Sequence, residues 1–265
     1  MHILGSILEW LDADMTTPQS YGVFHLFFFA LSIIAGIVLC RVFREGTEKQ
    51  ARGILLFTTV MVAVLEIYKQ INYTFSYDGQ TITADYQWYA FPFQFCSTPM
   101  YIGALACLTK GRVHTACCAY LATFSVFAGL CVMCYPAQVF ISTIGINIQT
   151  MLCHGVMLTV GIWLMLTGYV KTELKTVVRA VPVFAGCIGL AMLLNEIAHA
   201  TDFTNGETFN MFFISPYCEP SLPVYSSVQQ AVAYPWCLLI YIAVFTLAAF
   251  VVLWLFWGIK RICKR

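Results

Sequence analysis

Residues 236–257 read WCLLIYIAVFTLAAFVVLWLFW, a continuous apolar stretch that contains no charged residue. About 20 such residues are needed for a helix to cross the hydrocarbon core of a bilayer, so this stretch predicts a transmembrane helix. Six further apolar runs of similar length precede it, and the sequence therefore predicts seven transmembrane helices. Their approximate bounds are 21–40, 53–72, 91–108, 113–134, 150–169 and 180–199.

The overall composition indicates the same class of protein. Of the 265 residues, 60% are hydrophobic and 10% are charged, and the mean hydropathy is +0.78. Soluble domains carry about 25% charged residues, so we predict an all-α, polytopic, integral membrane protein, in the plasma membrane if the host is a bacterium. The net charge of +1 provides no field that would attract nucleic acid. The expected partners are membrane lipids, and no nucleic-acid or soluble protein partner is implied.

The basic residues predict the orientation of the chain. If the seven spans alternate in direction, every lysine and arginine except Lys69 faces the same side of the membrane. By the positive-inside rule that side is cytoplasmic, which leaves the N-terminus outside and the C-terminus inside. The residues on this side are Arg41, Arg44, Lys49, Arg52, Lys110, Arg112, Lys171, Lys175, Arg179, Lys260, Arg261, Lys264 and Arg265.

The transmembrane domain is assigned to residues 21–259, and three segments differ in composition from its helices. Residues 1–20 carry apolar side chains at helical spacing, which predicts a short helix on the outer membrane surface; a frayed terminus is the alternative. The outer loop at 201–235 is rich in aromatic residues and proline, which favours an ordered cap. Residues 260–265 form a basic cytoplasmic tail.

Several ionisable and amide side chains inside the predicted spans share one depth, near the outer surface. Such groups are costly in a bilayer and mark candidate sites. Because neighbouring spans run in opposite directions, their alignment predicts a single polar cavity open to the outer leaflet. The residues are His25, Glu66, Lys69, Cys96, His154, Asn195, Glu196 and His199.

Each of these residues also has a purely structural interpretation. Glu66 and Lys69 are three positions apart on one helical face, so they would form an ion pair that lowers their own insertion cost. Glu196 and His199 have the same spacing and would be ordinary interfacial residues. A histidine inside a span is equally well explained as a neutral ring bonded to a backbone carbonyl.

Cys96 lies in the sequence FPFQFCSTPM at 91–100, which contains two prolines. Pro92 suits the first turn of a helix, so Cys96 is predicted near a helix N-terminus, where the helix dipole favours a thiolate. Pro99 donates no backbone hydrogen bond, so the carbonyl of Phe95 needs another partner. The structural alternative is that Cys96 is a small apolar core residue.

A specific chemistry follows if Cys96 and His154 meet. The histidine would take the thiol proton, and the cysteine would form a thioester, which is the chemistry of acyl transfer. On the outer side the acyl donor would be a membrane lipid, with Gln94, Asn195 or backbone N–H groups stabilising the oxyanion. No cofactor and no metal are expected, because no paired cysteines stand near histidines at zinc spacing. A disulfide between Cys134 and Cys218 is left open.

Five short motifs resemble the YwaF-like integral membrane family, which includes the eukaryotic transmembrane protein 164. They are GVFHL at 22–26, FPFQFCSTPMY at 91–101, HGVML at 154–158, NMFF at 210–213 and YPW at 234–236.

The resemblance implies a cysteine-dependent acyltransferase of ether phospholipids, with Cys96 as nucleophile and His154 as its partner. It also adds Asn210 to the supporting residues. More distant relatives hydrolyse fatty-acid esters with a threonine and a histidine. The eukaryotic motif has a histidine directly after the cysteine, whereas Ser97 occupies that position here.

Two other classes of function remain open from the sequence. A transporter or small-molecule binding protein would use Glu66, Lys69, Glu196 and the histidines to hold a polar ligand. A seven-helix receptor or accessory protein would carry out no chemistry. Retinal binding is disfavoured, because the last span has no lysine before its cytoplasmic end.

Overall fold

The computed structural model describes residues 2–219 and 225–263, and these are predominantly α-helical. The only strands in this part of the chain are the short antiparallel pair β1 (Phe75–Tyr77) and β2 (Ile82–Ala84). The predicted all-α class is therefore right apart from this hairpin. The helices are α1 (His2–Leu11), α2 (Val23–Val42), α3 (Glu48–Asn72), α4 (Thr98–Leu108), α5 (Gly111–Ala122), α6 (Phe124–Cys134), α7 (Ile144–Leu166), α8 (Leu174–Thr201), α9 (Tyr225–Ala231) and α10 (Tyr234–Cys263).

Six helical units in the described chain are long and apolar enough to cross a membrane. Five are single helices, and the sixth joins α5 and α6 into one unit, Gly111–Cys134. The protein is therefore an integral, multi-pass membrane protein. Which end of the bundle is cytoplasmic stays a prediction. The single helices are α2, α3, α7, α8 and α10.

The predicted helix at 91–108 is wrong in its first half. A 3-10 turn at Phe95–Ser97 leads into α4, which has 11 residues and is about 16 Å long at 1.5 Å per residue. Phe91 precedes a proline, and such residues are excluded from the helical region by a steric clash; its φ and ψ are −45° and 137°. Pro92 therefore lies before the helix, and Pro99 occupies its first turn.

The short α4 nevertheless returns the chain to the end of the bundle at which α3 begins. At one end of α4, the hydroxyl of Ser97 donates to the carboxylate of Glu66 at 3.1 Å. At the other end, the guanidinium of Arg52 donates to the backbone carbonyls of Cys107 and Thr109. α4 therefore runs antiparallel to α3, and irregular backbone lies at the depth of Glu66. Such backbone is tolerated in a membrane where protein surrounds it.

The centre of the bundle is α7, which contacts α2, α3, α5 and α6. Two glycines allow this close approach. A Cβ atom on Gly155 would lie 2.3 Å from the hydroxyl oxygen of Ser32 in α2, and one on Gly129 in α6 would lie 2.9 Å from the carbonyl oxygen of His154. α7 is thereby fixed against its neighbours at the level of His154.

The segments outside the long helices follow the predictions in part. A helix is present within residues 1–20, with Ile3 and Trp10 exposed; its position on a membrane surface stays a prediction. Of the loop at 201–235, Phe209, Met211, Phe212 and Ile214 are buried in the core of the bundle, whereas much of the remaining described part is exposed; residues 220–224 lie outside the description. α10 continues through the first residues of the predicted tail at 260–265, of which 264–265 are not described. Cys134 and Cys218 are both free thiols.

Candidate active site

Three phenylalanine rings anchor the segment that leads to Cys96. The ring of Phe91 packs on Phe209 at 5.3 Å between centroids, and the ring of Phe93 packs on Phe212 at 5.5 Å. Phe95 contacts Phe212 at 5.1 Å and also lies among the rings of α5, α8 and α10. Aromatic pairs at these separations add to the stability gained from burial. The loop at 201–235 thus holds the segment before Cys96 in place.

The segment Met211–Phe213, within the loop at 201–235, has an unusual backbone. Phe212 and Phe213 have φ values of 58° and 59°, a left-handed conformation that costs a non-glycine residue roughly 1–2 kcal/mol. The hydroxyl of Tyr241 donates to the carbonyl of Phe212 at 3.1 Å. The surrounding side chains therefore hold a conformation that the chain would not adopt alone.

Three predicted supporting residues, Gln94, Asn195 and Asn210, hold this loop. Gln94 accepts from the Phe212 N–H at 3.0 Å and donates to the Asn210 carbonyl at 3.0 Å. Asn195 accepts from the N–H of Met211 at 2.7 Å and donates to its carbonyl at 3.1 Å. The side chain of Asn210 accepts from the N–H of Ser215 at 2.9 Å. The side-chain oxygens of all three amides are thus occupied by backbone N–H groups.

Glu66 and Lys69 form a buried ion pair, with 2.6 Å between Lys69 Nζ and Glu66 Oε1. Their exposed fractions are 4% and 9%. Buried charges need further hydrogen bonds to offset lost hydration, and Glu66 has two: Gln70 Nε2 donates to Oε1 at 2.8 Å, and the Ser97 hydroxyl donates to Oε2 at 3.1 Å. Both carboxylate oxygens are therefore engaged.

The ammonium group of Lys69 connects this pair to Cys96 and His154. Its charge acts on the sulfurs of Cys96 and Cys153 and on the ring of His154. The hydroxyl of Ser97, the residue that follows Cys96, is bonded to the carboxylate of Glu66. The 3-10 turn that carries Cys96 packs against α7, and Cys96 itself is partly exposed. The structure thus brings Cys96 and His154 into the field of one cation.

His154 has a defined tautomer. Its Nδ1 lies 2.7 Å from the carbonyl oxygen of Thr150, and a carbonyl only accepts, so Nδ1 carries the hydrogen. The neutral ring therefore has its lone pair on Nε2, for which the described residues supply no hydrogen-bond partner. Nε2 is therefore the ring atom with a free lone pair, and it is the atom that would accept a proton.

The other members of the predicted polar set lie elsewhere. His25 is buried, accepting from the N–H of Tyr21 at Nδ1 and donating from Nε2 to the Met133 carbonyl at 2.9 Å. Glu196 and His199 are exposed and hold Tyr217: its hydroxyl donates to Glu196 at 2.7 Å, and its ring stacks on His199 at 3.5 Å. The eight residues therefore do not line a single cavity.

Sequence reasoning missed Gln70 and Cys153. Gln70 is one turn after Glu66, so helical spacing contained the signal. Cys153 precedes His154, and only the packing of α7 against the turn at Phe95–Ser97 gives it a relation to Lys69. Within residues 2–219 and 225–263, no group of three or more histidine, cysteine or acidic side chains is arranged to hold a metal ion.

Comparison with known proteins assigns the family. No curated protein and no solved structure matches the chain. The model of the TMEM164 family matches residues 17–255, a range that contains all six transmembrane units up to the last turns of α10, together with Glu66, Lys69, Cys96 and His154. This multi-pass membrane protein belongs to the TMEM164 family.

Proposed function

We propose that the protein is a lipid acyltransferase in which Cys96 is the nucleophile and His154 is the general base. The observation that carries the proposal is the geometry of His154: Thr150 fixes Nδ1–H, and Nε2 has no partner among the described residues. Cys96 is partly exposed, and the charge of Lys69 acts on both its thiol and the imidazole of His154. A thiol and an oriented imidazole are the two groups that thioester chemistry needs.

The reaction has two steps. His154 Nε2 takes the proton of Cys96, and the thiolate attacks the carbonyl carbon of a lipid ester. The ester C–O bond breaks, the imidazolium returns the proton to the departing lysolipid oxygen, and a thioester remains on Cys96. In the second step His154 removes the proton of an acceptor hydroxyl, whose oxygen attacks the thioester. The C–S bond breaks, and Cys96 leaves as a thiolate that takes up the proton held by His154.

Lys69, Glu66 and Ser97 have supporting roles in this proposal. The Lys69 ammonium balances the negative charge of the thiolate, as cations near reactive cysteines do. Glu66 holds Lys69 through the 2.6 Å ion pair and is held in turn by the hydroxyl of Ser97. Because Ser97 directly follows Cys96 in the 3-10 turn and bonds Glu66, it fixes the turn that carries the nucleophile against the ion pair.

The membrane location favours a lipid as the acyl donor. Cys96 lies on a turn surrounded by transmembrane helices, and the residues before it are aromatic. An ester bond of a phospholipid can enter such an apolar setting without the cost of desolvating a free anion. The acceptor is the hydroxyl of a lysophospholipid, and water would give hydrolysis in its place.

Transport or ligand binding by the polar residues is the second candidate, and it has less support. Both oxygens of Glu66 are already bonded to Lys69, Gln70 and Ser97. Glu196 bonds Tyr217 on an exposed surface. These acidic groups therefore serve the protein itself, whereas Nε2 of His154 is available.

The test is transfer of a labelled acyl chain from a phospholipid to a lysophospholipid by purified protein in liposomes. Cys96→Ala and His154→Ala are expected to lose transfer, and wild type is expected to carry a hydroxylamine-sensitive acyl group on Cys96. Cys153→Ala is the matched control. Cys153 is adjacent to His154 in sequence and interacts electrostatically with Lys69, but it has no role in the proposal. Full activity of Cys96→Ala, or an acyl group on another residue, would overturn it.

A further inference from the structure

A polar cavity lies at the opposite end of the bundle from Cys96. Its volume is ≈ 320 Å³, and it is formed by α5, by the connection between α7 and α8, and by the first turns of α8. The lining includes Thr115, Lys171, Thr176 and Arg179. None of the groups assigned to acyl transfer contributes to it.

The inner wall of this cavity is a hydrogen-bonded cluster of polar side chains. His114 Nδ1 donates to the Ala106 carbonyl at 2.7 Å, and its Nε2 lies 2.6 Å from the Tyr169 hydroxyl. The thiol of Cys118 approaches the same nitrogen at 3.5 Å. Burial raises the pKa of Tyr169 to about 12, so the phenol stays protonated and adds no negative charge to the cavity.

The rim of the cavity carries an excess of positive charge. Lys171 and Arg179 lie on it with Glu173, which accepts from Arg179 Nη1 at a long 3.4 Å. A half-exposed ion pair of this length contributes little, so an anion could take the place of Glu173 beside Arg179.

An apolar groove continues directly from this rim. It has a volume of ≈ 620 Å³ and lies between the start of α8 and the last turns of α10, with Glu173 lining both spaces. Leu174, Phe250, Trp254 and Trp257 supply apolar surface. Arg261 stacks over the ring of Trp257 at 4.7 Å, which places a further cation at the mouth of the groove.

We propose that the cavity and the groove together bind one anionic phospholipid, with its phosphate between Lys171 and Arg179 and an acyl chain along Trp254. The basic cavity is continuous with the apolar groove. A phospholipid would fill both spaces, whereas a free phosphate would fill only the cavity, so the geometry favours a lipid. Basic pockets next to transmembrane helices bind anionic head groups in this manner. The inference does not depend on the acyl-transfer proposal.

The test is binding of lipid to delipidated full-length protein in a neutral detergent, measured by native mass spectrometry. The probes are phosphatidylglycerol, phosphatidylcholine with the same chains, and inorganic phosphate. We expect one molecule of phosphatidylglycerol to bind at least about tenfold more tightly than phosphatidylcholine, which corresponds to ~1.4 kcal/mol. Lys171→Gln with Arg179→Gln should remove this preference. Glu173→Gln should tighten binding, because the competing carboxylate is lost.

Lys175→Gln is the matched control. Lys175 is an exposed lysine in the first turn of α8, one turn before Arg179, and it does not line the cavity. Its substitution should leave affinity unchanged. Val251→Trp, which fills the groove with a bulky ring, should weaken lipid binding and leave phosphate unaffected. Equal binding of the two lipids, equal losses in the Lys175 and Lys171 variants, or phosphate binding as tight as lipid binding would each overturn the proposal.

Discussion

Lys69 Nζ and Glu66 Oε1 lie 2.6 Å apart within α3, and both side chains are buried. Breaking a buried pair by removing one partner leaves an uncompensated charge and typically costs about 3–5 kcal/mol. We therefore expect Glu66→Gln and Lys69→Met each to lower the midpoint of thermal unfolding in detergent substantially. The double variant should recover much of the loss, because no unpaired charge remains. Additive losses in the double variant would show that the two charges do not stabilise each other.

We expect the same ammonium group to raise the reactivity of Cys96. Lys69→Met should slow alkylation of Cys96 by iodoacetamide by about tenfold at constant pH, the factor that follows from losing ~1.4 kcal/mol of thiolate stabilisation. Lys69→Arg keeps the charge and should react at nearly the wild-type rate. The exposed Cys134 provides an internal reference, and its rate should stay constant in all variants. An unchanged Cys96 rate in Lys69→Met would exclude Lys69 from activating the thiol.

The helical architecture was predictable from hydropathy. A backbone in the bilayer core must satisfy its hydrogen bonds internally, so segments that cross it form long apolar helices. The exception at 91–108 has a local cause. Hydropathy records that Phe91, Phe93 and Phe95 are apolar, but not that Phe91 is extended because Pro92 follows it. The rings in this segment face protein, and they pack against a loop more than 100 residues away in the chain.

The local part of the candidate site was predictable from residues close in sequence. The spacing of Glu66 and Lys69 gave their ion pair, whereas the helix start was predicted at Pro92 and the helix begins at Thr98, with Pro99 in its first turn. A shared depth in the bilayer does not determine which way a side chain points around its helix. Asn195 points inward to the loop at 201–235, whereas the adjacent Glu196 points out to a tyrosine.

The closeness of α2 and α7 at His154 can be tested through Gly155. A Cβ atom at this position would lie 2.3 Å from Ser32 Oγ, and overpacking of this kind typically costs about 1–3 kcal/mol. Gly155→Ala should therefore lower stability and shift His154, reducing any acyl transfer.

Ser32→Ala removes the clashing oxygen, so the double variant Ser32→Ala/Gly155→Ala should be more stable than Gly155→Ala alone. Gly186 is the control, since a Cβ atom there meets nothing within 4 Å and Gly186→Ala should be tolerated. If Ser32→Ala gives no rescue in thermal unfolding, the two helices are further apart than the structure places them.

The left-handed backbone at Met211–Phe213, in the loop at 201–235, leads to an unusual prediction for Phe213. Its φ is 59°, and the residue is 37% exposed, so its backbone conformation should decide the order of its alanine and glycine variants. At most positions alanine is more stable than glycine, because glycine loses more freedom on folding. At Phe213 the left-handed penalty of roughly 1–2 kcal/mol for a residue with a Cβ atom should reverse the order. Phe213→Gly should therefore unfold at a higher temperature than Phe213→Ala. The usual order, with alanine more stable, would mean that the loop does not hold this conformation in the membrane protein.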